Sequence, residues 1–210
     1  MKKRTLALLF VPAAIAFGCA SFPDAETTRA AAEQLVAEAY PGMPAELTGR
    51  AAQDSGQKLC SRTTDEKLSS DESARIVEAA RASIKYPASG KLVGDWKVGA
   101  KLVQDGRGMR VRDGRVEKVK ENGALCINCH ALDPQEVNVG NLGPSLTGYG
   151  AQRGASEPVV KYTYEKIYNA WTYLPCSNMP RLGHNGYLTP EQIAHVVAYL
   201  VDPQSPVNRK

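Results

Sequence analysis

Cys126-Ile127-Asn128-Cys129-His130 is the stretch on which the reading of the chain turns. Two thiols separated by two residues, with an imidazole directly after the second, form the attachment signature of a c-type haem. Both sulfurs can add across the porphyrin vinyl groups, and the next residue brings its ring under the metal. Two other readings of the same residues are weaker. A thioredoxin-like redox pair needs a preceding strand in a βαβ context, whereas a glycine-rich, charge-rich stretch from Gly106 to Gly123 precedes this motif. A zinc site needs further ligands at compact spacing, and Cys60 and Cys176 stand alone and far apart. The expected cofactor is one covalently bound haem c, held by Cys126 and Cys129, with His130 on the iron.

A six-coordinate iron needs a second axial ligand, and the candidates are Met179, Met109, His184 and His195, with Met43 lying upstream of the domain. Met179 is the expected ligand. It sits between Pro175 and Pro180, where the backbone is held rigid without being helical. His184, five residues on, reads as a solvated loop histidine, His195 as a surface residue of the last helix, and Met109 as a packing residue. His/Met ligation raises the haem potential relative to bis-His and leaves no open coordination position, so such a site passes single electrons. Gly143-Pro144-Ser145-Leu146-Thr147-Gly148 follows the motif closely; it reads either as a tight turn whose carbonyl near Pro144 accepts the Nδ1 hydrogen of His130 and orients the ring, or as an ordinary surface turn.

Around the motif the periodicity is helical. Val93, Trp96, Ala100 and Val103 recur at 3, 4 and 3; Tyr164, Ile167, Tyr168 and Trp171 stand at i, i+3, i+4 and i+7 in a helix expected to end before Pro175. Thr189-Pro190-Glu191-Gln192 combines a capping box with proline at the first helical position; Ile193, Val196, Val197 and Leu200 form a buried face, and Asp202-Pro203 ends the helix. Upstream, an Ala-rich helix from Asp24 to Tyr40 stops at Pro41-Gly42-Met43-Pro44. A second follows Ser70 as N-cap, with Ile76 and Ala80 on one side and Pro87 closing the segment. No segment alternates with a period of two. The fold class expected is all-α, with residues 94–210 as the haem domain and residues 21–93 as a helical extension packed on it.

The 210 residues carry a formal charge of +4, most of it from Lys2, Lys3 and Arg4. The nearly neutral remainder excludes a nucleic-acid partner. Those three cations precede the uncharged run Leu6 to Ala20, the pattern of a secretory signal that is too short to span a bilayer. Residues 1–20 are therefore read as a signal peptide removed after Ala20, with lipidation of Cys19 as the alternative and no membrane span in either case. The destination is periplasmic and disulfide-permissive. There Cys60 and Cys176 form either one disulfide, tying the extension to the loop that presents Met179, or two unpaired thiols.

The haem motif, Gly143-Pro144-x-Leu146-x-Gly148 and the capped last helix resemble the class I cytochrome c domain. The strings Tyr162-Thr-Tyr-Glu-Lys-Ile-Tyr-Asn-Ala-Trp171, Leu174-Pro-Cys-Ser-Asn-Met-Pro-Arg181 and Leu188 to Leu200 resemble the SoxX family, the monohaem subunit of the SoxAX sulfur-oxidation complex. Leu92-Val-Gly-Asp-Trp-Lys97, Gly106-Arg-Gly-Met109 and Cys60 before a helix ending Lys85-Tyr-Pro87 extend that resemblance upstream. It implies Cys126 and Cys129 as haem attachment sites and His130 and Met179 as axial ligands. It also implies a second c-type cytochrome, SoxA-like, as partner, a sulfur-carrier protein reached through the complex, and a downstream electron acceptor. The complex would be an L-cysteine S-thiosulfotransferase, joining thiosulfate to a carrier cysteine and releasing two electrons; this chain would accept them and be inactive alone. No thiosulfate site is implied on it. The competing reading is a free-standing periplasmic monohaem carrier, for which a bare domain of ~100 residues would suffice, so the long extension favours a permanent partner.

Overall fold

A computed structural model describes residues 23–39, 52–61, 67–106, 110–112, 115–117 and 123–209. The signal segment with Cys19, Met43 and Met109 lie outside the described residues. In chain order the helices are α1 (Ala25–Ala39), α2 (Ser55–Cys60), α3 (Ser70–Ala82), α4 (Trp96–Gln104), α5 (Tyr149–Arg153), α6 (Glu157–Tyr168) and α7 (Pro190–Val201). A small antiparallel ribbon, β1 (Arg110–Arg112) with β2 (Arg115–Glu117), interrupts the stretch read as loop, pairing Val111 with Val116. The fold is otherwise helical, as the period-3.6 pattern predicts.

The part of the chain from Gly94 onward is organised around the crossing of α4 on α7. Asp95 starts α4 by accepting the Lys97 N–H at 2.7 Å. Thr189 and Gln192 close the capping box of α7, with Pro190 in its first turn. Gly99 lets the two backbones touch: a Cβ there would overlap the His195 carbonyl. The stripe α4 buries is Gly99, Leu102 and Val103, with Trp96 and Ala100 at its border, while Val93 precedes the helix and is exposed. Helix α7 buries its expected face and also Ala194, Ala198, Tyr199 and Val201, because α4, α5 and α6 surround it.

Three expectations shift. Ser69, not Ser70, caps α3: its hydroxyl accepts the Glu72 N–H while the Glu72 carboxylate returns to the Ser69 N–H. That helix ends at Ala82, short of Pro87, where the Ser83 hydroxyl donates to the Ala80 carbonyl. The helix carrying Tyr164, Ile167 and Tyr168 ends at Tyr168, because Asn169 takes an extended backbone and its side-chain oxygen accepts the Trp171 N–H. Trp171 therefore lies on a separate 3₁₀ turn (Ala170–Thr172) and leaves the main core. It joins Ile76 and Ala80 of α3 in a second cluster bordered by Leu59, Cys60, Leu68 and Cys176. Further along, the Asn169 amide donates to Ser83 at 3.1 Å and the Tyr164 hydroxyl to the Lys85 carbonyl at 2.7 Å, so residues 69–87 are stitched to α6. Helix α1 buries none of its residues.

Candidate haem site

Leu125 has φ +42, a left-handed conformation costly for a branched side chain, and it launches the 3₁₀ turn Cys126–Asn128. The turn is pinned from both sides. Ala124 N–H donates to the Leu102 carbonyl at the end of α4, Gly140 N–H to Ile127, and Gly143 N–H to Cys129. His130 N–H donates to the Cys126 carbonyl at 2.9 Å, which closes the turn on the histidine. The thiols are free and half-buried. Burial pushes the unattached Cys126 thiol up to about 12.

His130 Nδ1 lies 2.8 Å from the Pro144 carbonyl. Donation to that carbonyl fixes the tautomer and leaves Nε2 for a metal. Gly143 is required beside it, because a Cβ there would overlap the imidazole. Ala124, Cys126, Ile127, Leu146, Met179 and Tyr187 all pack, half-buried, on the same core cluster formed by α4, α6 and α7. The donor set and its apolar shelf fit a haem: Cys126 and Met179 pack on one core, and the chain runs from Cys126 through Cys129 to an imidazole oriented by Pro144. When bound, haem c supplies a one-electron iron couple. Toward it Cys126 and Cys129 would tether the group and His130 and Met179 would hold the iron, with Pro144 orienting His130 and Ile127, Leu146 and Tyr187 shielding the group from water. Among the described residues no three His, Cys, Asp or Glu side chains converge as a protein-only metal site would require.

The remaining candidates have other roles. His195 is half-buried and structural: its Nδ1 accepts the Asp95 N–H at 2.8 Å and holds the start of α4 on α7. Its place on the capped helix suggested a surface residue, because only the tertiary crossing brings Asp95 over it. His184 lies 4.0 Å from Asp54, and burial first, then the nearby Arg181, lower its pKa. Cys60 and Cys176 are joined in a disulfide, with their Cα atoms 5.3 Å apart. Arg181 and Asp54 were not legible as partners: they form a 2.8 Å ion pair with Arg181 nearly buried, its guanidinium 4.1 Å from the Trp171 ring centroid. The one local sign was the Asp54-x-x-Gln57 capping box that begins α2.

Residues 117–200, the segment that holds the motif, Met179 and most of α7, match the family described as cytochrome C oxidase, cbb3-type, subunit III. The chain carries a c-type cytochrome domain. This cytochrome is also 43% identical over 159 residues to an "Uncharacterized lipoprotein" of Aquifex aeolicus (strain VF5), a match covering 76% of this chain and 74% of the relative, and the two belong to one family. The match over residues 117–200, together with the donor set, supports an electron-transfer role. Among its described residues no helix is long and apolar enough to cross a membrane.

Proposed function

We propose that this cytochrome is the SoxX-type electron-accepting subunit of a thiosulfate-oxidising complex. It would take single electrons from a second c-type cytochrome and pass them to a downstream acceptor in the periplasm, with one haem ligated by His130 and Met179. The observation that carries the electron-transfer part is the packing of Cys126 and Met179 on one apolar shelf, with His130 four residues after Cys126 oriented by the Pro144 carbonyl. Subunit membership is supported by the strings around Trp171, Met179 and α7 and by an extension bridged to the domain at Cys60–Cys176. Val137 and Leu142, 92% and 85% exposed in the loop after His130, put bare aliphatic side chains beside the attachment site, as a protein-facing surface would. The test is recovery of the chain, tagged at its C-terminus, from thiosulfate-grown cells. A stoichiometric second c-type cytochrome, with haem reduction by thiosulfate plus a cysteine-bearing carrier, is the expected result. A chain recovered alone, cycling only with artificial donors, would defeat the subunit reading.

A second reading, a tethered free-standing carrier, is favoured by the relative's description as a lipoprotein together with Gly18-Cys19 at the end of the apolar run. On that reading Cys19 is acylated and anchors the domain. Fatty-acid labelling that disappears in Cys19→Ser supports the anchor; an unlabelled, freely released protein supports cleavage after Ala20.

A further inference from the structure

We infer that the N-terminal extension is a clamp that positions Met179, with Asp54, Cys60, Trp171, Cys176 and Arg181 as positioning residues. This rests on the reading of Met179 as the sixth ligand. The segment around Met179 has no helix of its own, and it is gripped on both sides by a part of the chain more than a hundred residues earlier. Three residues before Met179, Cys176 is bridged to Cys60 at the end of α2, a sequence separation of 116. Two residues after it, Arg181 is 8% exposed and paired with Asp54, the N-cap of the same helix, at 2.8 Å. One short helix thus holds the ligand segment at both of its own ends.

Trp171 fills the space between. Its Nε1–H donates to the Ser177 carbonyl at 3.0 Å, the Ser177 hydroxyl accepts the Met179 N–H at 3.3 Å, and the Arg181 guanidinium lies over its ring. On its far side α2 approaches so closely that a Cβ at Gly56 would come within 2.8 Å of the indole. Cys176 itself has φ +59, a left-handed conformation that a cysteine adopts only where its surroundings impose it. Without the bridge nothing local favours that conformation, and relaxation there turns the backbone that leads into Met179. The main core is formed chiefly by α4, α6 and α7, whereas Cys60, Trp171 and Cys176 belong to the separate Trp171 cluster, which Arg181 joins by lying over the indole. The clamp is therefore suited to tuning the ligand without deciding whether the haem domain folds.

The experiment uses the full-length holoprotein and three readouts: the sulfur-to-iron charge-transfer band of the ferric form, the midpoint potential and the affinity for imidazole. Met179→Ala is the control for the ligand reading and should abolish the band. Cys60→Ala with Cys176→Ala, and separately Arg181→Gln, should weaken the band and lower the potential. They should also tighten apparent imidazole binding by about tenfold or more, as the fraction with Met179 detached rises. Cys60→Ala with Cys176→Gly, which accepts positive φ without strain, should recover part of the wild-type band. If the clamp variants keep wild-type band, potential and imidazole affinity while only their thermal midpoints fall, the extension is packing support and the inference is overturned. If Met179→Ala keeps the band, the ligand reading falls and the clamp's purpose with it. Should the double cysteine variant fail to load haem, Arg181→Gln, which keeps the bridge, carries the test.

Discussion

Met179 and His130 are held by opposite kinds of support. His130 is fixed locally: two residues of the Gly143-Pro144 turn supply the carbonyl that orients it and the bare backbone that makes room for it. Gly143→Ala should therefore push the ring off its place, costing about 1–3 kcal/mol by overpacking, read as a lower denaturation midpoint and poorer holoprotein yield. His130→Ala should prevent maturation, and a stable low-spin holoprotein from that variant would refute its assignment. Met179→Ala should leave the haem attached, lower its potential and open the iron to exogenous ligands; redox titration decides, and an unchanged potential rules Met179 out. His195 shows the limit of reading residues singly. Its helix position was legible in the sequence, but its acceptor role depends on Asp95, a hundred residues away.

Helix α7 is the element whose sequence says most about it. Capping box, initial proline, apolar face and terminating Asp202-Pro203 agree with one another, and the helix forms as they indicate. Thr189→Ala should cost about 1 kcal/mol through loss of the cap, measurable as a shift in chemical denaturation midpoint with no change in haem spectrum. Helix α2 is the contrary case. Six residues with no buried side chain of their own give no periodic signal, and α2 is held by what it caps and bridges. Burial alone would raise the Asp54 carboxyl, but the Gln57 N–H and the Arg181 guanidinium outweigh it and hold it below its ordinary value of 3.8. A carboxylate held low in the fold contributes stability that is complete above its unfolded value and is lost as pH falls through the folded one. The Asp54–Arg181 pair should accordingly be intact at neutral pH and weaken only below pH 3.8. The thermal midpoint of Asp54→Asn should show a smaller drop over that acid range than wild type; an identical profile would deny the pair any part in it.

For the molecule as a whole, the disulfide closes a loop that encloses α3, α4, the haem motif and α6. On chain-entropy grounds a loop of this length contributes at most about 4–5 kcal/mol. Loss of the bridge should lower the unfolding midpoint of the holoprotein markedly, by calorimetry, while leaving its helical content intact. What the amino-acid sequence determined by itself was whatever depends on neighbours along the chain. That covers the haem attachment motif with its adjacent histidine, the proline turn behind it, the helical period and the caps. Those signals are local because a side chain three or four residues away is close in any helix, and a CxxCH spacing is fixed by the porphyrin and not by the fold. Tertiary structure alone decided which distant pieces meet. It set Trp171 apart from the aromatics of α6, turned His195 from a surface residue into a staple, joined Cys60 to Cys176, and set Asp54 against Arg181 around Met179. Each of these depends on backbone paths between residues a hundred or more positions apart, or on one extended residue such as Asn169. No short-range pattern encodes such paths, because packing chooses them when the two clusters close.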